Sequence, residues 1–400
     1  MSSWLGYAKT SFHHAPKTIT LTTSSGSEIP LSELCKDATP PCRLNPLLFN
    51  GHLQTFWTAY KGYDIPIVYR RKIFEAEDPA VAGTFAVDFV SRIPGEKDES
   101  LPPRTSYFTD QEFGEYGSSD SKPMLVTLHG LSGGSYEMYL RAVLAPLVTE
   151  DNGWEACVVN ARGCAMAKIS TPIMFNARAT WDIKQVVEWL RKKFPNRPLF
   201  GLGFSLGANI LTRYVAEEGS NCLFKAAVVC SNPWNLDISD QFLRNSFIGN
   251  QIYERVMGNN VKHLANLNAE QICKVPGIDM EGIERIKHLY DFDREIQIKV
   301  WGYPSTGAYY RDASSCDAVI AVKVPFFAIN ALDDPIAVQP GIPFDEIKTN
   351  PYTVLCTTTL GGHLSWFEVG GGRWFAKPVS QKGPCKSCIP LTTLGCQLSE

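Results

Sequence analysis

A serine, a pair of aspartates and a histidine occur in that order along this sequence, each directly after a strand-like apolar run. They are Ser205, the adjacent Asp333 and Asp334, and His363. A serine hydroxyl is a poor nucleophile at neutral pH, so it needs a base to accept its proton. The imidazolium that then forms needs a carboxylate to orient and stabilise it. These residue types in this order therefore predict nucleophilic catalysis by a serine.

The segment around Ser205 has the form Gly-x-Ser-x-Gly and lies between a strand-like run that starts at Pro198 and a helix-like run that ends at Arg213. This context describes a nucleophile elbow, a tight turn that places the serine Oγ at the top of a sheet. Gly203 and Gly207 fit it because a Cβ at either position would collide with the neighbouring strand or helix. We predict that Ser205 is the nucleophile; the alternative is a glycine-bounded turn whose serine has no catalytic role.

The base and the acid are expected on two loops that follow later strands. Gly361 and Gly362 give the backbone the freedom to turn the ring of His363 inward, which favours a catalytic histidine over a loop histidine without partners. Spacing alone does not choose between Asp333 and Asp334 as the acid. We favour Asp334, and the other aspartate is then a loop or capping residue.

Acyl transfer also needs hydrogen-bond donors for the developing oxyanion. These are usually the backbone N–H after the nucleophile and one on the loop after an earlier strand. Leu206 and Leu131 hold these two positions. Gly130 allows the backbone to approach closely. His129, beside it, is expected to be a strand-end histidine held by a backbone hydrogen bond.

Strand-like apolar runs alternate with amphipathic helix-like segments from residue 124 to residue 230, and the alternation resumes at residue 324. This pattern predicts an α/β fold with a mostly parallel sheet that helices cover on both faces. The loops that carry the predicted site residues should then meet at one edge of the sheet. The order serine, acid, histidine is that of the α/β-hydrolase fold.

The region from about residue 232 to residue 315 has helical segments but no run of the buried-strand type. We therefore predict a helical cap that is inserted over this edge of the sheet. Four large side chains there, Trp234, Phe242, Phe247 and Met257, could line an acyl pocket beneath the cap, although such side chains are more often ordinary core.

Composition divides the chain into three parts. Residues 1–60 are interpreted as an N-terminal extension packed on the core, residues 61–380 as the α/β-hydrolase domain that contains the cap, and residues 381–400 as an irregular tail. Two β-rich runs between residues 65 and 92 predict antiparallel strands at the leading edge of the sheet. Residues 93–122, rich in turn formers, predict a solvated loop.

The 400 residues are 44% hydrophobic and 20% charged, with a formal net charge of -3, so no basic excess favours binding to nucleic acid. We find no signal-peptide core and no run near the ~20 apolar residues of a membrane span. The 12 cysteines are scattered and are expected to be reduced. Cys385 and Cys388 have CxxC spacing without a second pair, and no nucleotide-binding loop occurs, so we expect neither a metal nor a cofactor.

Several motifs between Asn45 and Ala376 resemble those of the YheT-like branch of the α/β-hydrolases. That branch includes the mammalian α/β-hydrolase domain proteins 1 and 3 and the yeast medium-chain fatty acid ethyl ester synthase/esterases. The motifs are NPLLFNGHLQTFW, LHGLSGGS, NARGCA, GFSLGANIL, NALDDP and GGHLSWFE. The resemblance implies a serine esterase acting on acyl esters, with Ser205, Asp334 and His363 as its triad.

The resemblance also implies that the same site can transfer acyl groups to alcohols, as in fungal members of the branch. Two departures from the branch are expected to matter: we expect no membrane anchor of the kind that the mammalian members have, and the tail after residue 379 does not match the amphipathic final helix of the branch. We expect a cytoplasmic protein, with peripheral association with lipid droplets or a membrane as the alternative.

The sequence therefore predicts a serine ester hydrolase for medium-chain acyl esters that works through an acyl-enzyme. Its partners are expected to be small molecules: an acyl ester, an acyl-CoA or an alcohol. Ester synthesis from acyl-CoA and an alcohol would use the same residues. Two other hypotheses are an acyltransferase of a secondary-metabolite pathway that uses a larger alcohol, and a scaffold that has the fold without the chemistry.

Overall fold

The structure is a computed structural model that describes residues 6–22, 26–60 and 64–380. The strands among these residues are β1 (Tyr7–Ala8), β2 (Thr10–His14), β3 (Thr20–Thr22), β4 (Glu28–Pro30), β5 (Cys42–Arg43), β6 (Val68–Glu75), β7 (Thr84–Ser91), β8 (Thr105–Tyr107), β9 (Met124–Leu128), β10 (Glu155–Val159), β11 (Leu199–Phe204), β12 (Phe224–Cys230), β13 (Phe326–Ala331) and β14 (Thr353–Thr358).

The α-helices of the same residues are α1 (Leu31–Asp37), α2 (Gly51–Tyr60), α3 (Asp110–Gly114), α4 (Met138–Leu147), α5 (Trp181–Lys193), α6 (Leu206–Glu218), α7 (Leu236–Asn245), α8 (Arg255–Leu267), α9 (Ala269–Ile272), α10 (Met280–Arg285), α11 (Leu289–Phe292), α12 (Ile298–Trp301), α13 (Thr306–Ala313), α14 (Phe344–Thr349) and α15 (Lys377–Ser380). Two π-helical segments, Gly249–Glu254 and Asp293–Gln297, lead directly into α8 and α12. None of the described helices is long and apolar enough to cross a bilayer.

Within the described residues, ten strands form one sheet in the order β2-β14-β13-β12-β11-β9-β10-β7-β6-β8. The six neighbouring strands from β14 to β10 are parallel. The antiparallel pairs are β2 with β14, β7 with β10, and β6 with β7. The mostly parallel sheet that the alternating pattern predicts is therefore confirmed.

The register of the parallel strands brings their carboxyl ends to one edge of the sheet. The residue pairs in register near these ends are Gly203 with Leu128, Phe204 with Cys230, Cys230 with Ile329, and Ala331 with Thr358. The loops after β9, β11, β13 and β14 consequently leave the sheet side by side. These are the loops that carry the predicted site residues.

Alternate residues of the central strands face opposite sides of the sheet, as the pleat requires. Leu125 of β9 belongs to the same apolar cluster as Leu140 of α4. Its neighbours Met124 and Val126 belong to the cluster on the other side, with Leu190 of α5. Both faces are therefore covered by helices, which explains why the residues of strands β9 and β11–β14 are almost entirely buried.

Residues 93–122 are not only a solvated loop, as predicted. Thr105–Tyr107 form β8, which pairs in parallel with β6 and is the edge strand on that side. The following helix α3 begins with a capping box between Thr109 and Glu112. The prediction that the strands of residues 65–92 form the edge is wrong, because three residues in a polar context are enough to add a strand when a paired neighbour supplies the hydrogen bonds.

The N-terminal region contributes to the same sheet. Strand β2 pairs antiparallel with β14 and is the edge strand on the other side. Helix α2 lies against the loop after β14, as described below. The irregular tail 381–400, with Cys385 and Cys388, lies outside the described residues.

Helices α7 to α13 lie between β12 and β13, and the described residues of this stretch form no strand. They have an apolar cluster of their own, in which Val261 and Phe292 pack with Phe175 from the loop before α5. These helices occupy the region that the sequence predicts as the cap.

Candidate active site

Ser205 lies at the turn between β11 and α6 and has a backbone conformation that is rare for a non-glycine residue, with φ of 51° and ψ of −119°. The two flanking glycines make this turn possible. A Cβ on Gly203 would lie 2.6 Å from the carbonyl oxygen of Gly207, and a Cβ on Gly207 would lie 2.5 Å from the carbonyl oxygens of both Leu128 and His129. The turn is therefore a nucleophile elbow in which only glycine fits on either side.

The imidazole of His363 contacts the other two predicted site residues. Its Nε2 lies 2.9 Å from Ser205 Oγ, and its Nδ1 lies 2.9 Å and 3.1 Å from the two carboxylate oxygens of Asp334. An ionised carboxylate can only accept, so Nδ1–H donates to Asp334. Nε2 is then free to accept the proton of the Ser205 hydroxyl, as a general base must.

The adjacent aspartates have different partners. The side chain of Asp334 is fully buried and also accepts the N–H groups of Ile336 and Ala337, at 2.8 and 2.9 Å. Asp333 accepts the N–H of Gly362 at 3.1 Å, and burial raises the pKa of its carboxyl to about 6. Asp334 therefore contacts the ring of His363. Asp333 contacts the backbone of the loop after β14 that carries His363, here called the histidine loop.

Leu131 and Leu206 line the same cavity as Ser205. Neither of their backbone N–H groups has a hydrogen-bond acceptor within residues 6–22, 26–60 and 64–380. The loop that carries Leu131 approaches the serine closely, since a Cβ on Gly130 would lie 3.3 Å from Ser205 Cβ. The loop after β9 and the start of α6 thus meet at Ser205, and both predicted oxyanion donors lie there.

Comparison with known proteins gives the following relationships. Residues 123–270 match the family model of the alpha/beta hydrolase fold. A monoacylglycerol lipase of Saccharomyces cerevisiae is 36% identical over 387 residues, which cover 91% of this chain and 84% of that protein.

The chain belongs to the α/β-hydrolase family. Two further relatives of this α/β-hydrolase correspond to the groups that the sequence motifs resemble. The medium-chain fatty acid ethyl ester synthase/esterase 2 of Saccharomyces cerevisiae is 31% identical over 85% of this chain and 84% of that protein. Human phospholipase ABHD3 is 27% identical over 80% of this chain and 72% of that protein. The resemblance inferred from the motifs is confirmed.

The cavity of this α/β-hydrolase at Ser205 has a volume of about 100 Å³ and lies between the sheet edge and the cap helices. Of the four large side chains considered for an acyl pocket, Met257 lines it. Trp234 is buried in the core, where its indole N–H donates to Asn330, and Phe242 and Phe247 are exposed on the cap. Helical spacing shows that apolar residues share one face of a cap helix. It does not show whether that face contacts the sheet.

Helix α2 holds the histidine loop of this α/β-hydrolase, which the sequence analysis did not predict. The Thr55 hydroxyl accepts the His363 N–H at 2.9 Å and donates to the Gly51 carbonyl at 2.7 Å. Gln54 Oε1 accepts the Phe367 N–H at 2.8 Å. Both side chains belong to the HLQT motif, so the signal was present, but the sequence does not show which loop the motif contacts.

The other side of α2 contacts the cap. His52 Nδ1 lies 2.9 Å from the hydroxyl of Tyr253, and the two rings stack with centroids 5.7 Å apart. Phe56 stacks on the same tyrosine. Helix α2 therefore connects the cap to the loop that carries His363.

The loop that carries Leu131 is held by buried polar groups. The ring of His129 accepts the Ala161 N–H at Nε2, so Nδ1–H donates to the Gly130 carbonyl, and burial lowers the pKa of this histidine to about 4. His129 is thus a strand-end histidine held by backbone hydrogen bonds, as expected. Further along the loop, Ser135 Oγ donates to Asp88 of β7, which forms a buried ion pair with Arg71. The Arg71 pair was not predicted, because neither residue has a motif.

Proposed function

We propose that this protein is a serine ester hydrolase of the lipase or esterase class that cleaves medium-chain acyl esters through an acyl-enzyme. Ser205 is the nucleophile, His363 the general base and Asp334 the acid that orients it. The observation that carries the proposal is the continuous chain of hydrogen bonds from Ser205 Oγ through the imidazole to the Asp334 carboxylate.

The proposed reaction has two halves. As Ser205 Oγ attacks the ester carbonyl, Nε2 of His363 takes its proton, and the N–H groups of Leu131 and Leu206 stabilise the negative oxygen of the tetrahedral intermediate. The intermediate collapses, and the same imidazolium returns the proton to the leaving alcohol. Water then attacks the acyl-enzyme with His363 as base, releasing the acid and restoring the serine.

The acyl part of the substrate is inferred from the cavity walls and the relatives. Apolar side chains from the sheet edge and the cap surround Ser205, among them Leu236, Leu243, Met257 and Leu289. The yeast relatives are named a monoacylglycerol lipase and a medium-chain fatty acid ethyl ester synthase/esterase. Both names fit an apolar acyl group held against such walls.

Ester synthesis is a second candidate reaction, supported by the name of the 31% identical yeast relative. An alcohol in place of water would resolve the acyl-enzyme and give a new ester, with His363 removing the proton from the alcohol. This reaction needs no residue beyond those of hydrolysis. The choice depends on whether an alcohol competes with water for the acyl-enzyme.

The first test is labelling with a fluorophosphonate probe, combined with hydrolysis of p-nitrophenyl esters of increasing chain length. We expect one adduct, on Ser205, and best hydrolysis at medium chain length. Ser205→Ala should remove the adduct and lower kcat by about 10⁴-fold or more. The matched control is Ser170→Ala at an exposed serine, which should change neither the labelling of Ser205 nor kcat.

Full activity in Ser205→Ala, or folded protein without an adduct, would contradict the proposal and favour the scaffold hypothesis. Repeating the assay with an acyl-CoA and ethanol measures the synthetic reaction directly. Formation of the ethyl ester would support ester synthesis. Turnover with only a larger alcohol would favour the pathway acyltransferase instead.

A further inference from the structure

The loop between β9 and α4, residues 129–137, carries the backbone N–H of Leu131 and is here called the oxyanion loop after the role predicted for that N–H. Its shape is unusual, because Ser132 has a φ of 55°, a left-handed conformation that is rare outside glycine. Such backbone persists only where the surrounding structure fixes it. The groups that fix the oxyanion loop therefore decide where the Leu131 N–H lies.

The centre of this support is Asp88 of β7, whose side chain is fully buried. Arg71 lies directly opposite on β6 and donates from Nε to Oδ1 at 2.6 Å and from Nη2 to Oδ2 at 2.8 Å. Oδ2 also accepts the Ser135 hydroxyl at 2.6 Å and the Asn160 side-chain amide at 2.8 Å. A carboxylate has about four acceptor sites, so these hydrogen bonds satisfy Asp88 completely.

Ser135 connects the oxyanion loop to this buried carboxylate. Besides the bond from its Oγ to Asp88, its N–H donates to Oδ1 of Asn160 at 3.1 Å. Asn160 follows β10 directly, and its own N–H donates to the Ala86 carbonyl of β7 at 2.9 Å. One loop residue is thus bonded, through both its side chain and its backbone, to groups that the sheet holds in place.

Arg71 supports the oxyanion loop from a second direction. Its Nη1 donates at 2.8 Å to the carbonyl of Ala165, in the loop after β10. There Ala165 and Met166 have φ of 53° and 61°, and a Cβ on Gly134 would lie 2.8 Å from the Ala165 Cβ. The loop after β10 therefore packs directly against the oxyanion loop, and the same ion pair fixes both.

The ion pair of Arg71 and Asp88 is not explained by the stability of the sheet. Both side chains are fully buried, and removing two charges from water costs free energy that their attraction barely repays. Apolar residues of similar size would join β6 to β7 at least as well. The remaining hydrogen bonds of the pair end on the oxyanion loop and on the loop packed against it, which indicates a role in placing these loops.

We propose that Ser135 is a positioning residue for catalysis: it ties the oxyanion loop to the rigid Arg71–Asp88 pair, and so holds the Leu131 N–H where the negative oxygen of the tetrahedral intermediate forms. This inference rests on the proposed ester hydrolase function. An oxyanion donor acts mainly in the transition state, where the charge develops, and contributes little to binding of the neutral ester. Loss of its placement therefore lowers kcat and leaves KM nearly unchanged.

The test is Ser135→Ala, which removes the bond to Asp88 and keeps the N–H that donates to Asn160. With p-nitrophenyl octanoate, kcat should fall by about 10-fold, less than the loss of about 10²- to 10³-fold that follows deletion of a donor, and KM should stay within about twofold of wild type. The Ki of octyl trifluoromethyl ketone should rise by about 10-fold, because Ser205 Oγ adds to its carbonyl carbon, His363 takes the proton, and an oxyanion forms in the same position. Asn160→Ala, which removes the acceptor of the Ser135 N–H, should act in the same direction.

The matched control is Ser32→Ala, at a buried serine of α1 that is hydrogen-bonded to Thr18. It should change neither kcat nor Ki, and thermal melting should show that all variants are folded. If Ser135→Ala and Asn160→Ala keep kcat and Ki within about twofold of wild type, or raise only KM, the network serves stability alone and the proposal fails. A wild-type protein that cleaves no ester and takes no fluorophosphonate label on Ser205 would instead overturn the ester hydrolase function itself.

Discussion

The serine elbow and the histidine loop contain similarly unusual backbone but are held in different ways. Ser205 has a φ of 51°, and in the histidine loop Leu364 and Trp366 have φ of 53° and 43°. The elbow is fixed by its own strand and helix and by a hydrogen bond from the Ser205 N–H to Cys230 on the adjacent strand. The histidine loop is fixed from afar, since Thr55 lies 308 residues before His363.

The elbow is therefore specified by residues close together in the sequence, and the histidine loop by residues far apart. The elbow needs two glycines at fixed spacing, so a short motif is enough to specify it. The histidine loop needs a helix from the beginning of the chain, so no local pattern shows why its ring turns toward the serine. The loop after β13 that carries Asp333 and Asp334, here called the acid loop, is held by α2 as well. A Cβ on Gly51 of α2 would lie 1.9 Å from the Asp333 carbonyl oxygen.

The largest expected effect concerns the two aspartates of the acid loop. Asp334→Asn removes the charge that holds Nδ1–H of His363 and stabilises the imidazolium, and should lower kcat by about 10⁴-fold. Asp333→Asn keeps an oxygen that can accept the Gly362 N–H and should cost less than about 10-fold. Single-turnover kinetics with a p-nitrophenyl ester measures both.

Comparison of the two asparagine variants controls for folding, since the substitutions are chemically identical and adjacent. A larger loss from Asp333→Asn would reverse the assignment of the acid. Equal losses would mean that the two carboxyls share one role.

The next effect is on the stability of the elbow. Gly207→Ala would press a methyl group against two backbone carbonyls of β9 and the loop after it, which cannot move aside as a side chain would. We expect a loss of about 2–3 kcal/mol of unfolding free energy, as for overpacked cores. Thermal denaturation measures this loss.

Gly114→Ala is the matched control, since a Cβ there has no atom within 4 Å. An equal melting temperature for both alanine variants would show that the elbow relaxes easily. Its fixation by local packing would then be wrong.

The smallest effect sharpens the role of α2. Thr55→Val keeps the shape of the side chain but removes the acceptor of the His363 N–H, so kcat should fall by about 3- to 10-fold with KM unchanged. Thr55→Ser keeps the hydroxyl and should restore kcat to within about twofold of wild type, which a purely packing role of the methyl group would not allow. If valine and serine give the same kcat, the hydrogen bond does not position the histidine.

The sequence predicted those parts of the molecule that local patterns determine. Buried strands, amphipathic helices and the order of Ser205, Asp334 and His363 indicated the sheet and the side-by-side loops. Strand β8 was missed because its three residues lack an apolar pattern and gain their hydrogen bonds from β6. The sequence left open which aspartate contacts the ring of His363, because adjacent side chains on a loop point in directions that spacing does not encode.

The residues that line the cavity at Ser205 were likewise not predictable from local patterns. Met257 and Phe242 are both apolar residues of the cap, yet one lines the cavity and the other is exposed. The packing of the cap helices on the sheet decides this, and it depends on contacts between distant segments. Polar residues of the cap also line this cavity, among them Ser239 and Asp293, and they were not predicted for the same reason, since they are far apart in the sequence.

Helix α2 touches the acid loop, the histidine loop and the cap at once through Gly51, Thr55 and His52. One consequence concerns protein engineering: the catalytic half of this enzyme cannot be excised as a minimal fragment that starts at the first long strand, β6. Such a fragment would keep Ser205, Asp334 and His363 but lose helix α2, which holds the loops that carry Asp334 and His363. Grafting these three residues onto another scaffold would require helix α2 to be grafted with them.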